Sequence, residues 1–384
     1  MTNKLHIAVA CGGTGGHIFP GLATARALRD RGHHVTLWLS GKRVENTALQ
    51  GWKGPIITIP AEGFQFGPFR SLLTAIRIGL AVIRCWIGML RHRPDAVLAM
   101  GSYSSIGPCL AARLRGIPVI LHEANAVPGR AVRLLAGKAA SIAICFEETR
   151  YHLKGLNLVT TGMPLRPELR KSGGRDQGAG IRDQGAGIRS QDSEADLRSP
   201  TSEFRLLITG GSAGAHAINE MVSEAVSSLT QYAIRITHLT GFDDETSIRQ
   251  RYEAAGIQAD VRAFTPDMAS CYESADLAIC RAGASTCAEL GVFGLPALLI
   301  PYPHAASDHQ TANARALEKL GAADLIQEAD CTVEWLADYI RAQIEDPDRL
   351  EKMRVHAVRE DSLNAAEKLA ELVESSARNG GMKE

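Results

Sequence analysis

Twice along this chain of 384 residues, a short apolar run leads directly into a glycine-rich loop that opens a helical segment. The first loop is Gly12-Gly-Thr-Gly-Gly-His17, and the second is Gly210-Gly-Ser-Ala-Gly-Ala215. Glycines let the backbone approach an anion closely, and the free N–H groups and the dipole of the following helix point at the charge. The duplication therefore predicts two α/β halves that each face a phosphate, for two phosphate-bearing ligands or for one shared ligand.

Strand-like and helix-like segments alternate through both halves of the chain. Such an alternation is typical of a parallel sheet that helices cover on both faces. In the first half the predicted strands are residues 7–11, 34–39, 56–59, 96–100, 119–122, 141–144 and 158–161. In the second half they are residues 204–209, 234–239, 261–264, 277–280, 297–301 and 322–326. The sequence therefore predicts an α/β protein with two Rossmann-like parallel-sheet domains.

A polar segment separates the two halves, and in it the heptapeptide Arg-Asp-Gln-Gly-Ala-Gly-Ile occurs twice, at 175–181 and 182–188. The segment has too little apolar area to offset the entropy lost on ordering, and two copies are too few for a solenoid. We interpret it as a solvated, disordered insertion, with a functional role as the alternative. The expected regions are an N-terminal domain, a linker, a C-terminal domain and a final helix that packs back on the N-terminal domain, at 1–166, 167–203, 204–358 and 359–384.

Charge and cysteine content argue against several classes of protein. The 42 basic residues equal the 42 acidic ones, so no global field attracts nucleic acid. Residues 1–10 lack the long apolar core and the cleavage site of a secretory signal, and we expect a cytoplasmic location. The eight cysteines form no Cys-x-x-Cys pair, which favours buried reduced thiols over zinc or disulfides. The one Asp-x-Asp pair, Asp346-Pro-Asp348, is interpreted as a turn, so no metal site is expected.

A dinucleotide cofactor is the obvious rival ligand for such glycine loops. Its ribose needs an acidic residue at the end of the next strand, about 20 residues further on. Those strands end Trp38-Leu-Ser-Gly-Lys42 and Leu239-Thr-Gly241, where neither Asp nor Glu stands. Neither loop has the Gly-Lys-Ser/Thr ending of a P-loop. The sequence therefore argues against a nicotinamide cofactor and against a P-loop nucleotidase.

Two further polar segments follow predicted strands in the first half. The loop with Ser102, Tyr103 and Ser104 suits an anion or a sugar, although serine-rich turns are often only helix caps. Glu123 and Asn125 stand at the carboxyl end of a strand, where open α/β sheets bind ligands. The alternative for these two residues is that they satisfy the amides of a turn.

In the second half, Thr286 and Glu289 have the spacing of a capping box at the start of a helix. Glu289 could equally accept hydrogen bonds from a ribose diol, and the sequence leaves both interpretations open. Downstream, polar side chains cluster between a strand end and a helix, and amides among them pair naturally with sugar hydroxyls. The cluster comprises His304, Asp308, His309, Gln310 and Asn313.

Residues 63–94 contain no acid, yet arginines recur every seven residues at 70, 77, 84 and 91 among aromatic and aliphatic residues. No uninterrupted apolar run approaches the roughly 18 residues needed to span a bilayer. The pattern predicts an amphipathic helix that binds an anionic membrane surface through residues 64–93. A core helix with a basic outer face is the alternative.

Six motifs, taken in chain order, resemble the MurG glycosyltransferases of family 28. They are Gly-Gly-Thr-Gly-Gly-His17, His122-Glu-Ala-Asn125, Gly162-Met-Pro-Leu-Arg166, Gly210-Gly-Ser-Ala-Gly-Ala215, Arg281-Ala-Gly-Ala-Ser-Thr-Cys-Ala-Glu289 and Gln310-Thr-Ala-Asn313. The resemblance covers nearly the whole chain outside 171–200 and implies a GT-B fold. It also implies inverting, metal-independent transfer of N-acetylglucosamine from UDP-GlcNAc to undecaprenyl-diphospho-MurNAc-pentapeptide (lipid I), giving lipid II. The expected location is then peripheral, on the cytoplasmic face of the inner membrane.

The resemblance also implies roles for individual residues. Residues that approach the donor would be Thr14, Gly15, Gly16, Asn125, Arg166, Ser212, Thr265, Ala284, Ser285, Thr286, Cys287, Ala288, Glu289 and Gln310. Among them Arg166 and Ser212 would meet the diphosphate, Thr265 the uracil through its backbone, and Gln310 the sugar. The acceptor's diphosphate would lie against Gly13, Ser102, Tyr103 and Ser104.

Inversion needs a base that takes the proton from the acceptor hydroxyl. We favour His17, because the dipole at a helix N-terminus favours neutral histidine, and Glu123 is the alternative. A nucleotide-sugar epimerase or glycolipid synthase with the same fold, and a nucleotide-sugar binding protein without chemistry, remain as other classes.

Overall fold

The computed structural model describes residues 4–42, 45, 48–49, 51–59, 68–169, 203–211, 215–358 and 363–381. These residues form two compact units. Unit 1 comprises the described residues of Met1–Pro167, His304–Ala316 and Arg359–Glu384, and unit 2 those of Glu168–Pro303 and Leu317–Val358. The segment 304–316, which the sequence prediction included in the C-terminal domain, thus groups with unit 1. The repeat at 175–188 lies outside the described residues.

Within the described part of unit 1, seven strands form one parallel sheet in the order β3-β2-β1-β4-β5-β6-β7. The strands are β1 (His6–Ala10), β2 (His34–Leu39), β3 (Ile56–Thr58), β4 (Ala96–Ala99), β5 (Val119–Glu123), β6 (Ser141–Ile144) and β7 (Leu158–Thr160). The helices between them are α1 (Gly15–Asp30), α2 (Pro68–Arg91), α3 (Ile106–Leu114) and α4 (Arg130–Ala136). The strand order reverses between β1 and β4, and open α/β sheets bind ligands at such a switch point.

In unit 2, six described strands form a second parallel sheet in the order β10-β9-β8-β11-β12-β13. The strands are β8 (Phe204–Thr209), β9 (Ile234–Leu239), β10 (Ala259–Arg262), β11 (Leu277–Cys280), β12 (Ala297–Leu299) and β13 (Ala323–Leu325). The helices are α5 (His216–Ser227), α6 (Glu245–Ala254), α7 (Met268–Ser274), α8 (Ala284–Phe293), α9 (His309–Lys319), α10 (Val333–Glu345), α11 (Pro347–Ala357) and α12 (Ala365–Gly381). Of these, α12 and the residues of α9 up to Ala316 belong to unit 1. In the sheet of unit 2, the switch point lies between β8 and β11.

The prediction of two parallel sheets is confirmed, and alternation of side chains along the strands explains why both faces are covered. In β1, Ile7 and Val9 pack with residues of α1 and α12, whereas Ala8 and Ala10 pack with residues of α3 and α4. Successive side chains of a strand point to opposite faces. Strands buried on both faces therefore read as continuous apolar runs, which is how they were predicted.

The last helix, α12, packs against α1 in unit 1. Its residues Leu369 and Val373 are fully buried in the same core cluster as Leu28. Beside this cluster, Glu374 accepts hydrogen bonds from Arg31 over 2.6 Å and from His33 over 2.9 Å. The contact joins chain segments that lie more than 300 residues apart in sequence.

Helix α2 is apolar on two sides. Cys85 and Met89 are buried in unit 1. A second stripe, at alternating spacings of four and three residues, is between 46% and 55% exposed and consists of Ile76, Leu80, Ile83, Ile87 and Leu90. Residues 64–67 lie outside the described residues. Among the described helices, none is long and apolar enough to cross a membrane.

Candidate active site

In unit 1, the loops that leave β1 and β4 meet at the switch point of the sheet. The Ser104 hydroxyl donates to the carbonyl oxygen of Gly12 over 2.7 Å, and the Ser102 hydroxyl lies 2.6 Å from that of Ser104. A Cβ on Gly12 would lie 2.4 Å from the backbone nitrogen of Ser40. The backbone of Ser40, after β2, therefore comes so close that position 12 requires glycine. The predicted residues of both loops are thus brought together, with the two serine hydroxyls in internal hydrogen bonds.

The N-terminus of α1 has backbone donors available for an anion. Thr14 is the N-cap residue, but its hydroxyl makes no bond to the helix amides and lies 3.0 Å from Nδ1 of His17. Because the first N–H groups of a helix have no partner within it, the amides of Gly15 and Gly16 are left for a ligand. Arg166 places its guanidinium 5.2 Å from the centre of the Phe19 ring on α1. This end of the helix therefore combines open amides with a cation, as an anion site requires.

Two histidines of unit 1 are held in their neutral form. Burial lowers the pKa of His17 to about 4, and the charge of Lys42 adds to the effect. Burial likewise lowers the pKa of His122 to about 4. His122 is almost fully buried with Nε2 3.4 Å from Sγ of Cys145, whereas His17 is partly exposed. A neutral imidazole keeps one nitrogen lone pair, so His17 can accept a proton from a bound group.

The carboxylate of Glu123 holds the turn that follows β5. Oε1 accepts from the backbone N–H of Asn125 over 2.9 Å, and Oε2 accepts from that of Gly129 over 2.8 Å. Burial raises the pKa of this carboxyl, and the hydrogen bonds from the two amides act in the opposite direction. Both oxygens are thus engaged by the turn, as the alternative interpretation from the sequence describes.

Asn125 connects this turn to α9 within unit 1. Its Oδ1 accepts from Nδ2 of Asn313 over 3.2 Å, and Oδ1 of Asn313 accepts from the N–H of Ala126 over 2.9 Å. Gln310 precedes Asn313 by three residues, so the two side chains lie on the same side of the helix. The structure therefore brings the motifs at 122–125 and 310–313 together.

In unit 2, the second glycine loop leaves β8 at the switch point. Gly211 has a φ of 83°, in the left-handed region that favours glycine. Ser212, the residue expected to meet the diphosphate, lies outside the described residues. The chain is described again from Ala215, and α5 begins at His216.

The capping-box interpretation of Thr286 and Glu289 is wrong. Helix α8 begins at Ala284 with Gly283 as its N-cap residue and no side-chain cap, so Thr286 lies inside the first turn. The hydroxyl of Tyr272 donates to Oε2 of Glu289 over 2.7 Å. The first turn, with Ser285 half-buried, is therefore uncapped by any side chain and retains open amides.

Three other predicted residues of unit 2 lie after β10 and in α8. Thr265 is buried after β10, and its hydroxyl oxygen accepts from the N–H of Asp267 over 3.2 Å. Cys287 is buried in α8, whereas Ala288 is half-buried. All eight cysteines are buried and free, which confirms the prediction of buried thiols.

The sequence analysis gave no role to three residues that shape these loops. Glu45 places its carboxylate at the end of β2, where the local sequence showed no acid, and it accepts from the N–H of Gly41 over 2.7 Å. Tyr272 orients Glu289 from a neighbouring helix. Arg281 donates to the carbonyl oxygens of Ile300 and Pro301 and pairs with Glu328. Of the three, only Arg281 had a signal in the sequence, because it is a charged residue that directly follows an apolar strand.

The described residues contain no group of three or more His, Cys, Asp or Glu side chains that could hold a metal ion. The side chain of Asp346 caps α11 by accepting from the N–H of Arg349 over 3.1 Å. The prediction of a turn at Asp346-Pro-Asp348 is therefore wrong, since Asp346 is the N-cap residue and Pro347 and Asp348 lie in the first turn of the helix.

The fold and these loops define a glycosyltransferase of the GT-B class. The family 28 N-terminal domain matches residues 7–144, and the glycosyltransferase family 28 C-terminal domain matches residues 205–373. The chain belongs to glycosyltransferase family 28.

Relatives with a stated activity are similar along almost the whole chain. A Rhodospirillum rubrum protein is 38% identical over 379 residues, which cover 97% of this chain and 92% of the relative. A Paramagnetospirillum magneticum protein is 39% identical over 382 residues, covering 97% of each chain. Both are named UDP-N-acetylglucosamine–N-acetylmuramyl-(pentapeptide) pyrophosphoryl-undecaprenol N-acetylglucosamine transferase. The crystal structure of Acinetobacter baumannii MurG has a TM-score of 0.77 at 30% identity and covers 97% of this chain and 100% of that one.

Proposed function

We propose that the protein transfers N-acetylglucosamine from UDP-GlcNAc to the muramoyl 4-hydroxyl of lipid I, giving lipid II for peptidoglycan synthesis. The observation that carries the proposal is the 38% identity, over 97% of the chain, to a relative named for this transfer. The described loops are compatible with it, since helix N-termini with open amides stand at the switch points of both sheets.

The donor would be bound mainly by loops of unit 2. In unit 2, the amides at the start of α8 face the phosphates, Glu289 accepts from the ribose diol and the backbone of Thr265 meets the uracil. The residues of unit 1 assigned to the donor are Thr14, Gly15, Gly16, Asn125, Arg166 and Gln310. Ser212 completes the set for the diphosphate.

The acceptor would be bound by the two loops that meet in unit 1. Its diphosphate approaches the segments with Gly13, Ser102, Tyr103 and Ser104. His17 is the proposed base because it is partly exposed and neutral, whereas both carboxylate oxygens of Glu123 are engaged. Glu123 then acts by holding the turn that carries Asn125.

The proposed reaction is a single displacement with inversion. His17 takes the proton from the acceptor hydroxyl while the hydroxyl oxygen attacks the anomeric carbon of the donor sugar. The bond from that carbon to the diphosphate oxygen breaks, and UDP leaves with the electron pair. The charge that develops on UDP would be stabilised by the Ser212 loop, by the start of α5 and by Arg166.

The acceptor is lipid-linked, and α2 is the proposed contact with the anionic cytoplasmic face of the inner membrane. Its outer stripe of Leu80, Ile83 and Leu90 is more than half exposed, and the exposed Arg77 and Arg84 accompany it. Buried apolar area and basic charge together give a helix affinity for anionic lipid.

The test of this function is the release of UDP from UDP-GlcNAc in the presence of a lipid I analogue, with and without a metal chelator. We expect release that depends on the acceptor, together with a lipid II product of inverted configuration. Release without acceptor would instead indicate an epimerase or hydrolase. Binding of UDP-GlcNAc without any turnover would contradict the proposed transfer and favour a binding protein.

A further inference from the structure

Glu45 is an almost fully buried carboxylate that the proposed reaction does not use directly. Its residue is 2% exposed. Oε1 accepts from the hydroxyl and the N–H of Ser40, over 2.5 and 3.1 Å, and Oε2 accepts from the N–H groups of Gly41 and Lys42, over 2.7 and 3.1 Å. Burial alone would raise the pKa of Glu45, but the hydrogen bonds from Ser40 and the amides lower it below the usual value.

A fifth donor connects this carboxylate to the first glycine loop. The N–H of Gly13 donates to Oε1 of Glu45 over 3.0 Å. The carbonyl oxygen of the same peptide group, that of Gly12, accepts from the Ser104 hydroxyl over 2.7 Å. One peptide unit of the loop is therefore held at both ends, by side chains from the loops after β2 and β4.

The orientation of that peptide determines the path of the chain into α1. Gly13 has a φ of 135°, which side-chain-bearing residues rarely adopt. A Cβ at Gly13 would lie 3.6 Å from Nδ1 of His17 and 3.4 Å from Cβ of Ser102. Only about the space of a Cβ thus separates Gly13 from the ring of the proposed base. Because Gly13 leads directly into Thr14 and α1, a rotation of the preceding peptide would displace Thr14 and His17.

We propose that Glu45 is a positioning residue for the acceptor half of the reaction, because its carboxylate, with the Ser104 hydroxyl, fixes the Gly12–Gly13 peptide and thereby the placement of His17. The inference rests on the proposed function. It also explains why an acid at the end of β2 does not make a dinucleotide site, since protein donors already occupy both oxygens that a ribose would need.

The decisive variant is Glu45→Gln. The glutamine oxygen can still accept from Gly13 and Ser40, but its NH₂ group then faces the N–H groups of Gly41 and Lys42. Because a misplacement of about 1 Å can cost roughly 100-fold in rate, we expect kcat/KM for the lipid I analogue to fall roughly 10- to 100-fold. The Kd for UDP should stay within about twofold, since its uracil, ribose and diphosphate are assigned to Thr265, the start of α8, Ser212 and Arg166 and not to the loop that Glu45 holds.

Two further variants separate positioning from folding. Ser40→Ala removes one hydrogen-bond donor to Glu45. It should leave the protein folded and lower kcat/KM for the lipid I analogue less, by roughly threefold. Glu374→Gln removes another buried carboxylate of unit 1, at the far end of α1. This control should lower the melting temperature and leave kcat/KM for the lipid I analogue unchanged.

The outcomes distinguish the two proposals. A wild-type protein without acceptor-dependent turnover would refute the proposed function. A working wild type with Glu45→Gln and Ser40→Ala both at full acceptor kcat/KM would overturn the role of Glu45. A parallel loss of UDP affinity and of kcat/KM for the lipid I analogue in both variants would also overturn it, because it would indicate a structural role alone.

Discussion

The hydroxyl oxygen of Thr14 and Nδ1 of His17 lie 3.0 Å apart at the start of α1. If Nδ1 carries the proton and donates it to Thr14, Nε2 has the free lone pair that a base needs. If the Thr14 hydroxyl donates instead, Nε2 carries the proton and cannot act as a base. The proposed role of His17 therefore requires Thr14 to accept this hydrogen bond.

Thr14→Val removes that acceptor while it preserves the shape of the side chain. We expect kcat for lipid II formation to fall about tenfold, since a positioned hydrogen bond to a charged group contributes about 1.5–3 kcal/mol. Thr14→Ser keeps the hydroxyl and should retain most of the activity. Steady-state kinetics with saturating UDP-GlcNAc measures both. Equal activity of the valine variant and wild type would show that the Thr14 contact does not orient the base.

The pH dependence of turnover tests His17 in another way. Its pKa is lowered to about 4 by burial and by Lys42, so the group is neutral, and able to accept a proton, throughout the range above pH 5. We expect kcat/KM for the acceptor to show no loss from His17 protonation until the pH approaches 4. The His17→Ala variant should lack that acid limb in its residual rate. An acid limb near pH 6.5 that disappears in His17→Ala would show that the pKa of His17 is not lowered by its surroundings.

A stability prediction concerns His238, which is fully buried in unit 2. Its ring nitrogens lie 3.0 Å from the hydroxyl of Tyr252 and 3.1 Å from Oδ1 of Asn219. Burial lowers the pKa of His238 to about 3, although the charge of Asp244 opposes the shift. Between that value and the ordinary pKa of about 6.5, the unfolded chain binds the additional proton, so stability decreases as the pH falls.

The expected contribution is a slope of about 1.4 kcal/mol per pH unit from this one group. His238→Gln should lower the free energy of unfolding at pH 7 and should lose this part of the slope, so the two curves converge below pH 6.5. Urea unfolding at several pH values measures both. Parallel curves would mean that His238 titrates alike in the folded and unfolded states.

Membrane binding through α2 predicts an effect of charge reversal. Arg77→Glu with Arg84→Glu should strongly reduce sedimentation with anionic vesicles, because each basic group near such a surface contributes about 1 kcal/mol. The matched control is Lys319→Glu with Lys352→Glu, two exposed lysines outside α2 with the same charge change. The control should sediment as wild type does. An equal loss in both pairs would indicate a general effect of net charge, and no loss in either would favour a core-helix role for α2.

Much of the fold could be predicted because its strands are buried on both faces. Continuous apolar runs such as 204–209 marked them, and the structure has β8 at those residues. The prediction for β10 was two residues too late, since Phe264 looked like a strand residue but is 55% exposed after the strand. Pairing of Ala259 with Ile236 fixes the true start, and such a register depends on the neighbouring strand.

The contacts that arrange the site could not be predicted, because they join residues that only the folded chain brings together. Glu45 follows the end of β2 by six residues, and only the turn returns its carboxylate to the glycine loop. Asn313 reaches Asn125 across 188 positions. In α8, the spacing of Thr286 and Glu289 is that of a capping box, but the N-cap residue is Gly283, three residues before Thr286. Local spacing carries no information on which of two such starts is used.

The contact of Tyr272 with Glu289 gives a prediction for donor binding. Oε2 of Glu289 accepts from the Tyr272 hydroxyl over 2.7 Å, and the Tyr272 ring packs 5.2 Å from that of Phe293. Tyr272→Phe retains the packing and removes the hydroxyl, so the carboxylate loses its orientation. If Glu289 binds the ribose diol, the KM for UDP-GlcNAc and the Kd for UDP should both rise about three- to tenfold, as expected for one hydrogen bond.

Glu289→Gln should raise the same two constants further, because it also removes the negative charge that binds the diol most strongly. A suitable control ligand is the 2′,3′-dideoxy analogue of UDP, which lacks the diol. Its affinity, measured by calorimetry, should be weak and nearly the same for wild type, Tyr272→Phe and Glu289→Gln. If the variants weaken the dideoxy analogue as much as UDP, the carboxylate supports the start of α8 and does not bind the ribose. That result would leave the diphosphate contacts of α8 intact as a proposal and would remove Glu289 from the donor site.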